Sequence, residues 1–317
     1  MNKFELKCRI KVNIDSILCI LILNDGTIAI GSNDSSIKLF NSKKYHNFLT
    51  IKEHKKGITS LAQSNKLKFK NIISASKDSR IIIFEFSETS YKIIQILNHN
   101  KKVNKILELK NNIYNFSTCS DDGILNLYNI NNYKNEKEKE NKIIKNEFNF
   151  NFNDIVFTMI ETKNNEIAVI LSSNYHCLKF IDTENKIIKK SIQQISIIGN
   201  NSICLFNNKY LIIGGSYMIT IIDIFNYSKE IIDINSWKIY SINNINEEKK
   251  YISYCDDEGN IFFNEIIINE TGLSLIEKFH YINCYSTAIF TIIYDNKSKI
   301  FISGGIESDI NIFNVIN

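Results

Sequence analysis

His54, Ser74 or Ser76, and Asp78 supply an imidazole, a hydroxyl and a carboxylate, the residue types of a nucleophilic hydrolase. His99, Thr118 or Ser120, and Asp122 supply the same three types again, and Asp78 and Asp122 are 44 residues apart. A catalytic triad is needed once and has no reason to recur at a fixed spacing. The recurrence therefore points to architecture rather than to an active site. The remaining chemistry is sparse. The histidines are His46, His54, His99, His176 and His280, and none pairs at a metal-binding spacing such as H-x-x-x-H. His176 and Cys177 are adjacent in a predicted strand, so they point to opposite faces. The chain has neither a phosphate loop of the G-x-x-x-x-G-K type nor a G-x-S-x-G elbow. The sequence thus predicts no catalytic residue, no metal site and no cofactor.

The elements that position these residues show as a sevenfold phrase: a small or polar pair, a polar turn residue, then a large apolar residue six positions on. It runs from Gly31-Ser32-Asn33-Asp34 to Phe40, from Ser74-Ala75-Ser76-Lys77-Asp78 to Phe84, and from Cys119-Ser120-Asp121-Asp122 to Tyr128. It continues from Ser172-Ser173-Asn174 to Phe180, from Gly214-Gly215-Ser216 to Ile222, from Cys255-Asp256-Asp257 to Phe263, and from Gly304-Gly305-Ile306-Glu307 to Phe313. Steps of 44, 44, 52, 42, 41 and 50 residues separate the apolar ends. A period of about 40–45 residues predicts radial repetition of four short strands, a, b, c and d, per unit. The phrase resembles the WD40 repeat family, whose fold is the β-propeller. The expectation is an all-β, seven-bladed WD40-type propeller occupying residues 1–317 as a single domain. The seventh unit stops at its third strand, while Phe4–Val12 precedes the first unit unassigned. Phe4–Val12 is therefore expected to supply the missing outer strand, because an open blade would leave unpaired edges.

The resemblance also implies roles. Propellers of this family often carry a buried His–Ser–Asp–Trp hydrogen-bond chain within a blade. His54 and Asp78, with Phe84 in the tryptophan position, and His99 and Asp122, with Tyr128 there, are expected to form a structural polar network that fixes the turn between strands b and c. Other blades carry Asn174, Ser216 and Glu307 in the Asp position. No Arg follows the seven apolar ends in the manner of ubiquitin-ligase substrate receptors. The paired arginines of phosphoinositide-binding propellers are also missing, because Arg9 and Arg80 are the only arginines. In such propellers the d–a and b–c loops share one face, and the a–b and c–d loops share the other. This places Tyr175, Tyr217, Trp237, Tyr281 and Tyr285 on the first face, with Asp256 and Glu307 among them. Aromatic anchors mixed with charge make a partner-binding surface. The a–b loops are instead rich in lysine, from Lys66, Lys68 and Lys70 to Lys297 and Lys299. The expected function is a non-catalytic protein-interaction scaffold, a subunit of a larger complex, binding on the aromatic face. The alternative is ribosome or RNA association through the lysine face.

Bulk properties fit this picture. Hydrophobic content of 44% and charged content of 23% are those of a globular protein. A net charge of +4 is too small to demand a nucleic-acid partner. The seven cysteines include no C-x-x-C pair and mostly fall in apolar strand phrases, so they are expected as buried reduced thiols in the cytoplasm or nucleus. Lys3–Leu23 mimics a signal peptide, but Ile17–Leu23 is needed as the first inner strand. No apolar run is long enough to span a bilayer, so no membrane insertion is expected. Asn131–Asn141, with nearly cancelling charges, reads as a mobile loop, or else a docking tag.

Overall fold

In a computed structural model of the chain, the described residues are 3–12, 15–110, 113–130, 144–163, 165–172, 176–197, 199, 202–234, 236–246, 251–269, 272–283 and 285–316. Asn131–Asn141 lies outside them. Isoleucine and aromatic side chains fit a pleated, buried surface, and they dominate the buried core. The strands, in chain order, are β1 (Lys3–Lys11), β2 (Ile17–Ile22), β3 (Ile28–Ser32), β4 (Ile37–Phe40), β5 (Asn47–Ile51), β6 (Ile58–Ala62), β7 (Asn71–Ser76), β8 (Arg80–Phe86), β9 (Tyr91–Asn98), β10 (Val103–Glu108), β11 (Phe116–Ser120), β12 (Ile124–Ile130), β13 (Ile144–Asn151) and β14 (Val156–Lys163). They continue as β15 (Glu166–Leu171), β16 (Cys177–Asp182), β17 (Ile187–Ile192), β18 (Ile203–Phe206), β19 (Tyr210–Gly214), β20 (Met218–Asp223), β21 (Lys229–Asp233), β22 (Ile239–Asn246), β23 (Tyr251–Asp256), β24 (Asn260–Asn269), β25 (Gly272–Asn283), β26 (Ile289–Asp295), β27 (Ile300–Gly305) and β28 (Asp309–Ile316).

Six four-stranded sheets take consecutive strands, from β2–β5 to β22–β25, and the seventh has the order β1-β28-β27-β26. This is a seven-bladed β-propeller. The expected closure is present: β1 runs antiparallel to β28, from Lys3 opposite Ile316 to Lys11 opposite Asp309. The chain divides into two compact units, 23–191 and 1–22 with 192–317.

Within the first unit, the second strands of the blades are buried on both faces, as in β3, β7, β11 and β15. Neighbouring sheets pack face to face, so each middle strand meets apolar side chains on either side. The core between the third and fourth blades joins Leu125, Leu127, Val156, Met159, Ile167 and Val169. Polar side chains on inner strands also bridge blades. Thr59 Oγ1 donates to the Val103 carbonyl at 2.6 Å, and Ser60 Oγ accepts from Ile106 N at 3.2 Å.

The second unit repeats the device. Ser241 Oγ accepts from Ile292 N at 3.3 Å, and apolar clusters join β19 to β22 and β24 to β27. The seven apolar residues that end the repeated phrase, Phe40, Phe84, Tyr128, Phe180, Ile222, Phe263 and Phe313, are all buried. A one-residue β-bulge follows the first residue of β6, β10, β14, β22 and β26. It re-aims each inner strand just where the chain enters from the preceding loop.

Candidate functional site

The two hydrolase-like clusters are polar networks within single blades of the first unit. His54 Nδ1 donates to Asp78, 3.1 Å from either carboxylate oxygen, and Ser74 Oγ donates to His54 Nε2 at 2.7 Å. A carboxylate only accepts, so the ring proton sits on Nδ1. Asp78 further accepts from Lys55 N at 2.8 Å, from Arg80 N at 3.0 Å and from the Arg80 guanidinium at 2.8 Å. Burial alone would raise this carboxyl, but the Lys55 amide and Arg80 outweigh it and hold it at about 2. His54 is lowered, because burial disfavours its charged form more than Asp78 favours it. Blade three repeats the arrangement: His99 Nδ1 to Asp122 at 2.9 Å, Thr118 Oγ1 to His99 Nε2 at 2.8 Å, and Asn100 N and Ile124 N donating to Asp122. The sequence left two hydroxyls open in each blade. Ser74 and Thr118 meet the imidazoles, while Ser76 Oγ and Ser120 Oγ accept from Asp78 N and Asp122 N at 3.1 Å.

Triad-like distances do not make these clusters catalytic. Ser74 and Thr118 have no exposed surface, so no substrate carbonyl reaches them. The networks instead tie the d–a loop to the b–c turn. In blade two that turn needs support, because its next residue, Ser79, adopts left-handed backbone with φ of 72°; in blade three the same place is filled by Gly123, with φ of 83°, which glycine adopts without steric cost.

The second unit carries the aromatic loops. Tyr217, in the turn between β19 and β20, and Trp237, in the loop between β21 and β22, are 54% and 52% exposed. Their rings stack with centroids 6.4 Å apart and planes 15° from parallel. The backbone holds them there: Tyr217 N lies 3.2 Å from both the Ser236 and the Trp237 carbonyls, and Ile234 N donates to the Tyr217 carbonyl at 2.9 Å. Tyr217 has φ of 57°, a left-handed conformation that costs an aromatic residue on the order of 1 kcal/mol. Lys238 Nζ lies 4.9 Å from the Trp237 ring centroid, within cation–π range.

The other residues expected on this surface are placed differently. Tyr285 is a core residue, 4% exposed, and its hydroxyl donates to the Ser303 carbonyl at 2.9 Å and accepts from Asn311 N at 3.1 Å. Its loop folds inward because the phenol satisfies backbone groups of β27 and β28. Asp256 is also buried, accepting from Glu258 N, Asn260 N and Asn260 Nδ2 at 2.9–3.0 Å, and burial raises its carboxyl. It builds its own turn and presents no charge to a partner. Glu307 accepts from Ser286 N at 2.7 Å and pairs with Arg9, which also reaches Asp309 at 2.7 Å. Burial pulls the Glu307 carboxyl up, and Ser286 and Arg9 pull it down further, so it stays ionised. Tyr281 falls within β25, which runs past the expected strand end, so it is not in a loop. Tyr175 lies outside the described residues.

Sequence reasoning did not find Lys238 or Arg9 at this face. The signal for Arg9 was available, since a chain with two arginines engages both in carboxylate pairs. On the lysine face, Lys70 pairs with Asp25 at 3.0 Å, Lys209 with Asp223 at 3.4 Å and Lys163 with Glu166 at 3.9 Å, which cancels part of its charge. Lys249 and Lys250 lie outside the described residues.

Residues 46–85 match the family model described as the WD domain, G-beta repeat. The span runs from the outer strand of the first blade to the third strand of the second, and so contains His54, Ser74 and Asp78. No curated protein matches the chain. Propellers of this kind generally act as protein-interaction scaffolds rather than as enzymes. Among the described residues, no helix is long and apolar enough to cross a membrane.

Proposed function

Because the chain is a seven-bladed β-propeller with a WD40 repeat, we propose that it is a non-catalytic scaffold whose protein partner docks on the stacked Tyr217–Trp237 pair. The observation that carries this reading is the combination of exposure and rigidity. Two large aromatics stand half out of the surface, and backbone hydrogen bonds between their two loops hold them in place. Burying such rings stabilises a complex at roughly 25 cal/mol per Å² of apolar area, and ordering costs little because they are already fixed. Asp256 is turned inward and Glu307 is paired with Arg9, so apolar and aromatic contact is the main attraction. The thiols of Cys19, Cys119, Cys177, Cys204 and Cys255 are buried, consistent with work in a reducing compartment.

Capture from extracts of the native cell tests the reading. Trp237→Ala and Tyr217→Ala should each lose the wild-type partner set, while Lys66→Glu with Lys68→Glu retains it. Loss of capture only in the lysine variant, with a steep salt dependence, would replace this reading with the RNA or ribosome alternative.

A further inference from the structure

At the end of the first unit formed by its a–b and c–d loops lies a cleft of about 510 Å³. This is within the size range of small-molecule sites, roughly 300–1,000 Å³, but its lining is mostly polar rather than apolar. One wall is the β4–β5 turn, with Lys43 and Lys44. That turn is stiff: Asn41 Oδ1 accepts from Lys43 N at 2.9 Å and Lys44 N at 3.0 Å, and the Asn41 carbonyl accepts from Tyr45 N at 2.8 Å. Lys43 and Lys44 are thereby neighbours on a fixed backbone. Asp25 and Glu88 line the same cleft, as do Lys70 and His46. Asp25 accepts from Thr27 N at 2.9 Å and pairs with Lys70 at 3.0 Å, so it is already satisfied as an ion. The side chains of Lys43, Lys44 and Glu88 are engaged in no ion pair among the described residues.

We propose that this cleft binds a sugar phosphate. Two neighbouring lysines suit the compact charge of one phosphate monoester. The carboxylates that line the cleft would repel a second phosphate, but they accept hydrogen bonds from hydroxyl groups. A ligand with one anionic end and a polyhydroxylated body meets both demands. An apolar ligand would leave the polar walls unpaired, and a polyphosphate would face Asp25 and Glu88. Ser42 and Ser87 line the same cleft and add hydroxyls that donate or accept.

Calorimetric titration of the full chain with glucose 6-phosphate, ribose 5-phosphate, glucose and inorganic phosphate tests the assignment. At least one of the two sugar phosphates should bind about tenfold more tightly than inorganic phosphate, with glucose weaker still. Lys43→Ala with Lys44→Ala should weaken that binding about tenfold or more, and Glu88→Gln should weaken it while leaving inorganic phosphate unaffected. These side chains sit at the surface, so unchanged melting temperatures confirm that the variants are folded. No heat from either sugar phosphate at about 10 mM would overturn the proposal. Equal affinity for inorganic phosphate, or binding that survives the lysine changes, would overturn it as well.

Discussion

Two glycines at equivalent turns separate the cost of a backbone conformation from the cost of a collision. Gly123 and Gly259 each follow the acidic stretch of a b–c turn, and both have φ of 83°. An added Cβ at Gly123 would meet Asp154 N and O at 3.2 Å, a tight contact that a small shift relieves. At Gly259 it would lie 2.3 Å from the Tyr285 carbonyl oxygen and 2.8 Å from its carbon, both backbone atoms that cannot swing aside. Left-handed backbone costs an L-residue about 1–2 kcal/mol, partly offset by about 0.4–1 kcal/mol from the reduced entropy of the unfolded chain. Gly123→Ala should therefore destabilise by about 1 kcal/mol. Gly259→Ala should cost the same amount plus roughly 1–3 kcal/mol for displaced backbone. Urea denaturation of the two variants at pH 7 measures the difference, given matched m-values. Indistinguishable midpoints would mean that the close approach of the Gly259 turn to Tyr285 is not real, and the inward fold of the Tyr285 loop would go with it.

Four further outcomes follow from the same structure. Asp122→Ala strips the acceptor from His99, Asn100 N and Ile124 N, and should destabilise by about 1–3 kcal/mol in the same assay; an unchanged midpoint would show that the blade-three network is unformed. Asp78, held at about 2 against an ordinary 3.8, contributes on the order of 1–2 kcal/mol after solvent screening, which is present above pH 4 and is lost as the pH falls through 2. Urea midpoints should therefore fall across that window and fall less in Asp78→Asn, and equal slopes would contradict the assignment. Deleting residues 1–12 removes β1 and the Arg9 ion pairs and bares the edge of β28, so the product should aggregate; a monomer that melts cooperatively would refute closure by β1. Trp237→Ala should leave the melting temperature nearly unchanged while abolishing partner capture, and an early melt would mark Trp237 as core.

What the sequence disclosed depended on what its periodicity constrains. A large apolar residue every 41–52 positions must occupy the same place in each blade, and all seven are buried. A spare strand before the first unit and a seventh unit one strand short pointed to the pairing that β1 makes with β28. The His54 and His99 networks were legible because their spacing follows the same period. Loop side chains have no such constraint. Tyr285 and Tyr217 look alike in sequence, yet one donates to the Ser303 carbonyl inside the blade and the other stands in solvent. Asp256 read as surface charge but uses its oxygens to hold its own turn. Tyr281 was misplaced because β25 extends through twelve residues, and strand length is set by pairing with β24 rather than by local pattern. The inner-strand bulges leave no composition signal at all.

The central claim is that the partner meets the Tyr217–Trp237 surface, and a photo-crosslinker placed there measures it most directly. Benzoylphenylalanine introduced at Tyr217 in the native cell should give a discrete crosslinked partner, identified by mass spectrometry. The same group at Phe225, exposed on the loop between β20 and β21, should give none. A crosslink from Phe225 with none from Tyr217 would contradict the account.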